Sequence, residues 1–376
     1  MPEGTIEPRG LRSRLERISE RVGSSPARVW RLAVSFVLAA AAGLIFIASS
    51  LPMPWLLGPL TLSVAASALG RPLARPAFLL LPVRALLGVA VGATFTPALT
   101  GQIPGMVGSL ALMVPYLALT TFLGVLFLER LARFDRPTAF FGAAPGGLAD
   151  MVIMANETSA NLRRVTLVQA SRLLMILAIV PFWLQFVGGL PLGGAVPRTV
   201  RLLEVGLIDA IVLVALALAG WQIAERLGLI GASMVGPMLL SGIAHASDLT
   251  TAKMPVESLI LAQVTLGIVI GGHFIGVTLR EFVTTLSWGM AFATLLVLLA
   301  ANAALIVAPL TGLDATTLFL SYAPGGQNEM ALLALILGLD VAVIALHQLL
   351  RVALVVIGAQ TVFKANTGWR HERPGE

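Results

Sequence analysis

A chain of 376 residues that is 57% apolar and only 12% charged, with a mean hydropathy of +0.91, cannot fold as a soluble globule, because soluble domains carry about 25% charged residues to cover their core. The length has room for about 10–12 helices of roughly 20 apolar residues each, which leaves no sizeable soluble domain. The net charge is +6, and the absence of cysteine excludes disulfides, thiolate catalysis and thiolate metal sites.

Much of the positive charge precedes the first hydrophobic run, in Arg9, Arg12, Arg14, Arg17, Arg21, Arg28 and Arg31, partly offset by Glu3, Glu7, Glu16 and Glu20. Directly before a span, such a stretch holds the N-terminus in the cytoplasm and touches anionic lipid. Residues 1–28 hold no aromatic side chain and no recognition helix accompanies them to read nucleic acid. The basic region is too long for a signal peptide, and the apolar run from Leu32 to Ala48 exceeds the normal signal length, so the first span is expected to stay. We divide the chain into a basic cytoplasmic tail (1–28), a first membrane repeat (29–190), a second (203–364) and a C-terminal tail (365–376).

The repeats align at a shift of 178–179 residues. LLGPLTLS at 56–63 matches MVGPMLLS at 234–241, and LGVAVGATF at 87–95 matches LGIVIGGHF at 266–274. APGGLADM at 144–151 matches APGGQNEM at 323–330, and Gln169 and Arg172 fall on Gln348 and Arg351. Asp135 with Asp314 and Thr138 with Thr317 keep the same register. Each half reads as six hydrophobic segments, beginning near 29, 53, 77, 105, 137 and 162, with partners near 203, 231, 255, 283, 315 and 340. The fold class is an all-α membrane protein with about 10–12 hydrophobic segments in two homologous halves.

The fifth segment of each half carries Pro-Gly-Gly and an acid near its middle. Proline removes a backbone donor and glycine loosens a helix, and in lipid such a break survives only inside protein or beside a water-filled cavity. A re-entrant fifth segment makes the crossing count odd and inverts the halves. The loop charges favour inversion. Arg130, Arg133, Arg136, Arg163 and Arg164 flank the first break, whereas Asp314 and Asp340 occupy the equivalent loops of the second half. Arg226 and Arg280 in turn match uncharged loops, and only Arg71 and Arg75 against Lys253 break the opposition.

Asp150 and Glu329 lie three residues beyond each second glycine, deep in apolar sequence, where a charge costs at least a few kcal/mol and faces a bundle interior, a partner or a pathway. Arg172 and Arg351 follow 22 positions later on the next segment. A bland reading makes each acid–arginine pair a link between two helices. The functional reading gathers Pro145, Gly146, Gly147, Asp150, Gln169 and Arg172 with Pro324, Gly325, Gly326, Asn328, Glu329, Gln348 and Arg351 into one substrate site. There the arginines would grip a carboxylate and the acids would take up a proton. Gly-Pro 58–59 and 236–237, and the Gly88/Gly92 and Gly267/Gly271 pairs, read as helix-packing points, and His273 and His347 as structural hydrogen-bonding residues. Histidines at 245, 273, 347 and 371 have no ligand spacing, and no nucleophile elbow or phosphate loop is present. No enzyme, metal or cofactor is expected.

The paired Ala-Pro-Gly-Gly motifs with their acids, the paired Gly-Pro motifs and the duplication resemble the AbrB membrane-protein family over roughly residues 30–364. The resemblance implies an inner-membrane protein of a kind labelled either a regulator of gene expression or an ammonia monooxygenase. The sequence expectation is a secondary transporter of a small anionic solute in the bacterial inner membrane, coupled to a proton or sodium ion. The alternatives are a membrane-embedded regulator or sensor and, more weakly, a membrane monooxygenase. Expected partners are the solute, the coupling ion and the lipid bilayer, with a homo-oligomer left open and no direct nucleic acid.

Overall fold

The apolar runs all become helices. A computed structural model of the chain describes residues 26–96, 102–193, 199–229 and 231–365; the basic tail before Pro26 and the end beyond Ala365 lie outside them. In the first half run α1 (Pro26–Ala48), α2 (Pro54–Ala68), α3 (Leu80–Gly92), α4 (Ile103–Arg130), α5 (Arg136–Ala143), α6 (Leu148–Ala155) and α7 (Leu162–Phe186). The second half runs α8 (Leu207–Arg226), α9 (Ala232–Ala246), α10 (Val256–Gly271), α11 (Leu279–Thr311), α12 (Ala315–Tyr322), α13 (Gln327–Leu337) and α14 (Val341–Ala365). Seven of these elements are long and apolar enough to cross a membrane, and the chain is a multi-pass helical membrane protein.

Each fifth segment is split. Asp135 starts α5 as its N-cap, accepting from the Thr138 amide and hydroxyl at 3.1 and 2.8 Å, and Asp314 accepts from the Thr317 amide at 2.7 Å to start α12. The helices then stop at Ala144 and Ala323, which turn to ψ near 125° ahead of Pro145 and Pro324. Gly147 and Gly326 are the extended N-caps of α6 and α13. The α5–α6 pair enters and leaves on one side, since Asn161 before α7 donates to Thr138 Oγ1 at 2.8 Å and Arg164 stacks over Phe134 at 5.2 Å. Eight residues of α5 reach about 12 Å inward, less than half of a roughly 30 Å hydrocarbon layer.

The helices sort into two bundles, each drawn from both halves. In one, α1–α3 pack with α8–α10; in the other, α4–α7 pack with α11–α14; few contacts join the two. The first bundle is built on glycine. A Cβ on Gly267 would sit 2.7 Å from the Leu56 carbonyl oxygen and 2.9 Å from the Pro59 side chain, and one on Gly88 would collide with the Met234 carbonyl. The contacts are reciprocal: Ser63 Oγ donates to the Ile268 carbonyl at 3.0 Å and Ser241 Oγ to that of Val89 at 2.9 Å. Helices α2 and α10, and α9 and α3, thereby approach backbone to backbone as the small-residue spacing predicts. Gly58 lies against Ala42, and Gly236 against Gly220.

In the second bundle, α4 and α11 run antiparallel. Gly105, at the start of α4, abuts Thr311 at the end of α11, while Phe127 near the end of α4 stacks on Phe292 at 5.7 Å and meets Trp288 edge-on at 6.1 Å. Arg163 grips Glu281 through two hydrogen bonds of 2.8 and 2.7 Å, tying the start of α7 to that of α11.

Candidate functional site

A helix that stops in the membrane leaves its last carbonyls without partners. Here those carbonyls are met by side chains of the next helix. Gln169 Nε2 donates to Phe141 and Ala144 at 2.7 and 3.1 Å, and Arg172 donates through NH1 to Ala144 at 3.0 Å and through NH2 to Gly146 at 3.3 Å. The second half does the same. Gln348 Nε2 donates to Leu320 at 2.8 Å and to Ala323 at 3.3 Å, and Arg351 donates to Ala323 and Gly325 at 2.7 and 2.6 Å. All four side chains are buried.

Their spacing of three residues therefore places an amide and a guanidinium on one helix face, aimed at one broken end. A carboxylate gripped by Arg172 or Arg351 would compete with these carbonyls. Among the described residues, neither arginine forms a salt bridge with the acid of its own half.

Asp150 and Glu329 stand at the third position of α6 and α13, and each turns back over its own N-cap glycine. A Cβ at Gly147 would lie 2.5 Å from Asp150 Oδ2, and one at Gly326 would collide with the Glu329 carboxylate. The amide end of a helix carries partial positive charge, so each acid sits where a negative group is favoured. Glu329 is buried and Asp150 half-buried. Pro145 and Gly146 are buried with Pro324 and Gly325, whereas Asn328 is half-buried beside Gln327, whose Nε2 is buried without a partner.

The two breaks share a cation that the motif reading missed. Arg84, halfway along α3 in the other bundle, lies within electrostatic reach of both Asp150 and Glu329. Its Nε is buried without a hydrogen-bond partner. A lone arginine in the run Leu80–Gly92 was itself a signal, four residues before the matched Gly88. The second break is also tied to α4 by aromatics: Tyr116 donates to the Tyr322 carbonyl at 3.0 Å, with the two rings edge to face at 4.8 Å. His347 and His273 are hydrogen-bonded residues, to Ser109 and Val343 and to Ile270 respectively.

A groove of about 480 Å³ between α4, α5 and α14 reaches Ala144 and Val355 behind the first break. Its lining is mostly apolar, with Val114, Leu117, Phe122 and Val125, and Thr121 and Arg136 are its polar members.

The family model described as transition state regulatory protein AbrB matches residues 55–366, which spans both breaks and all four capping side chains. The chain belongs to the AbrB family. Among AbrB relatives it is similar to "Uncharacterized protein YhjN" of Bacillus subtilis (strain 168), 28% identical over 362 residues covering 87% of this chain and 90% of that one. It is also similar to "Putative regulator AbrB" of Escherichia coli (strain K12), 26% identical over 313 residues covering 83% and 89%.

Proposed function

We propose that this AbrB-family protein is a secondary transporter of a small anionic solute, with its site between the two Pro-Gly-Gly breaks. One observation carries the reading: two helices are broken inside the membrane part of the protein, and both present acids to a single arginine of the opposite bundle. Around the breaks lie three guanidinium groups, those of Arg84, Arg172 and Arg351, and the two carboxylates of Asp150 and Glu329. That leaves one positive charge over, and an uncompensated buried charge is costly. A bound anion completes it. In this reading Arg172, Arg351, Gln169 and Gln348 hold the breaks open, and Asp150 and Glu329 exchange the coupling proton.

Inverted halves support the transporter reading, because repeat-built carriers of this kind place their sites at such breaks. Inversion is favoured by the antiparallel course of the matched helices α4 and α11 and by the one-sided α5–α6 pair. In this reading the end carrying Arg130, Arg133, Arg136, Arg163 and Arg164 faces the cytoplasm together with the N-terminus, in the bacterial inner membrane, as the positive-inside rule favours. A regulatory effect, as the name of the Escherichia coli relative has it, would follow from the solute moved. Thermal shift of the purified protein against acetate, lactate, succinate, phosphate, a sugar and an amine tests this. An anion should raise the melting point, and proteoliposomes should take it up faster under an inward proton gradient. Stabilisation by the sugar or amine alone would refute the reading.

A further inference from the structure

Arg84 has a counterpart that is not an arginine. The repeat register carries it onto Gln263 of α10, four residues before Gly267 as Arg84 is four before Gly88. Gln263 is fully buried, and neither its Oε1 nor its Nε2 has a hydrogen-bond partner. An amide buried without partners on both atoms is rare, because buried polar groups are almost always hydrogen-bonded. Next to it on the same helix the fully buried Thr265 hydroxyl is also unpartnered.

The reciprocal contacts of the two halves relate α3 to α10. The operation that carries Ser63–Ile268 onto Ser241–Val89 also exchanges Arg84 with Gln263 and Asp150 with Glu329. Arg84 lies within electrostatic reach of both acids, and the repeat register makes Gln263 its counterpart in the other half. Helices α3 and α10 pack directly against each other.

Resting on the transporter reading above, we propose that Arg84 and Gln263 together form the substrate grip and that the substrate is a monocarboxylate. The guanidinium binds one carboxylate oxygen with a charge-assisted hydrogen bond, and the Gln263 amide donates to the other. The break-capping residues repeat faithfully in both halves, and the central pair does not. A site of this near-symmetry with one arginine and one neutral donor matches a ligand with one negative charge. Two arginines would match a dianion.

The test uses the full-length protein in proteoliposomes and in detergent, with acetate, lactate, succinate and inorganic phosphate as probes. Wild type should bind and carry a monocarboxylate in preference to succinate. Arg84→Gln should weaken binding roughly 10–100-fold, the loss of about 1.5–3 kcal/mol in a charged hydrogen bond. The exchange variant R84Q/Q263R should recover it to within about tenfold of wild type, because the charge is restored on the other half. Gln263→Arg alone should shift preference towards succinate. The inference is overturned if R84Q keeps wild-type affinity, if folded R84Q/Q263R remains as weak as R84Q, or if Q263R leaves the preference unchanged. Should R84Q fail to fold, the Q263R preference decides alone. Wild-type protein that carries succinate or phosphate but no monocarboxylate overturns this inference and leaves the transporter standing; wild type that binds none of the anions removes both.

Discussion

Arg351→Met separates a break-holding arginine from a substrate-binding one. The substitution keeps an unbranched apolar stem and deletes the two donors that meet Ala323 at 2.7 Å and Gly325 at 2.6 Å. Each carbonyl then loses a charged donor in a buried setting, at about 1–3 kcal/mol apiece. Against this stands relief from burying the guanidinium, whose Nε has no partner, so the net loss is on the order of 2–4 kcal/mol. At roughly 2 °C per kcal/mol for a large chain, the ligand-free protein should melt about 4–8 °C lower. Arg172→Met should lose less, because its bonds to Ala144 and Gly146 are longer, 3.0 and 3.3 Å. Thermal unfolding of ligand-free protein in detergent, followed by helical circular dichroism, gives both numbers. Wild-type melting for Arg351→Met, or a larger loss for Arg172→Met, would refute the capping role and return these arginines to the solute.

Gly267→Ala puts a methyl 2.7 Å from the Leu56 carbonyl oxygen and 2.9 Å from Pro59; the overpacking should cost about 1–3 kcal/mol, read as a lower melting temperature, whereas Gly358→Ala, with open space around it, should be silent. Single cysteines at Leu310 and Arg133, in a chain with no native cysteine, should label from opposite faces of the membrane, and same-face labelling contradicts inverted halves. The Arg163 hydrogen bonds hold the Glu281 carboxyl below its usual range. A depressed carboxylate pKa adds stability above the unfolded value, about 4.3, that disappears as pH falls through the folded value. Acidification below about pH 4 should therefore loosen the α7–α11 tie in wild type and change nothing in Glu281→Gln, measured by hydrogen exchange at the start of α11.

Much of this was legible in one sequence because membrane burial punishes polar residues. Pro-Gly-Gly marked both breaks to the residue, and the register that paired Gln169 with Gln348 and Arg172 with Arg351 paired their hydrogen bonds as well. Asp135 and Asp314 kept register because each caps a half-helix. What the arginines touch was not legible, since a guanidinium binds a backbone carbonyl and a carboxylate with the same donors. Arg84 escaped because its partner is Gln263, and a motif search rewards identity rather than difference. The sorting of helices into two bundles that mix the halves depends on long-range packing that no local pattern encodes.

Each break is held by side chains of its own bundle: Arg172 and Gln169 stay with α5, Arg351 and Gln348 with α12. From the neighbouring bundle, Arg84 lies within electrostatic reach of these acids. Displacing one bundle along the other would thus leave both broken tips intact, like cargo hooks on a carriage, and would change only what Arg84 and Gln263 face. For the proposed transporter, this arrangement would let the site face one compartment and then the other without rebuilding a helix end.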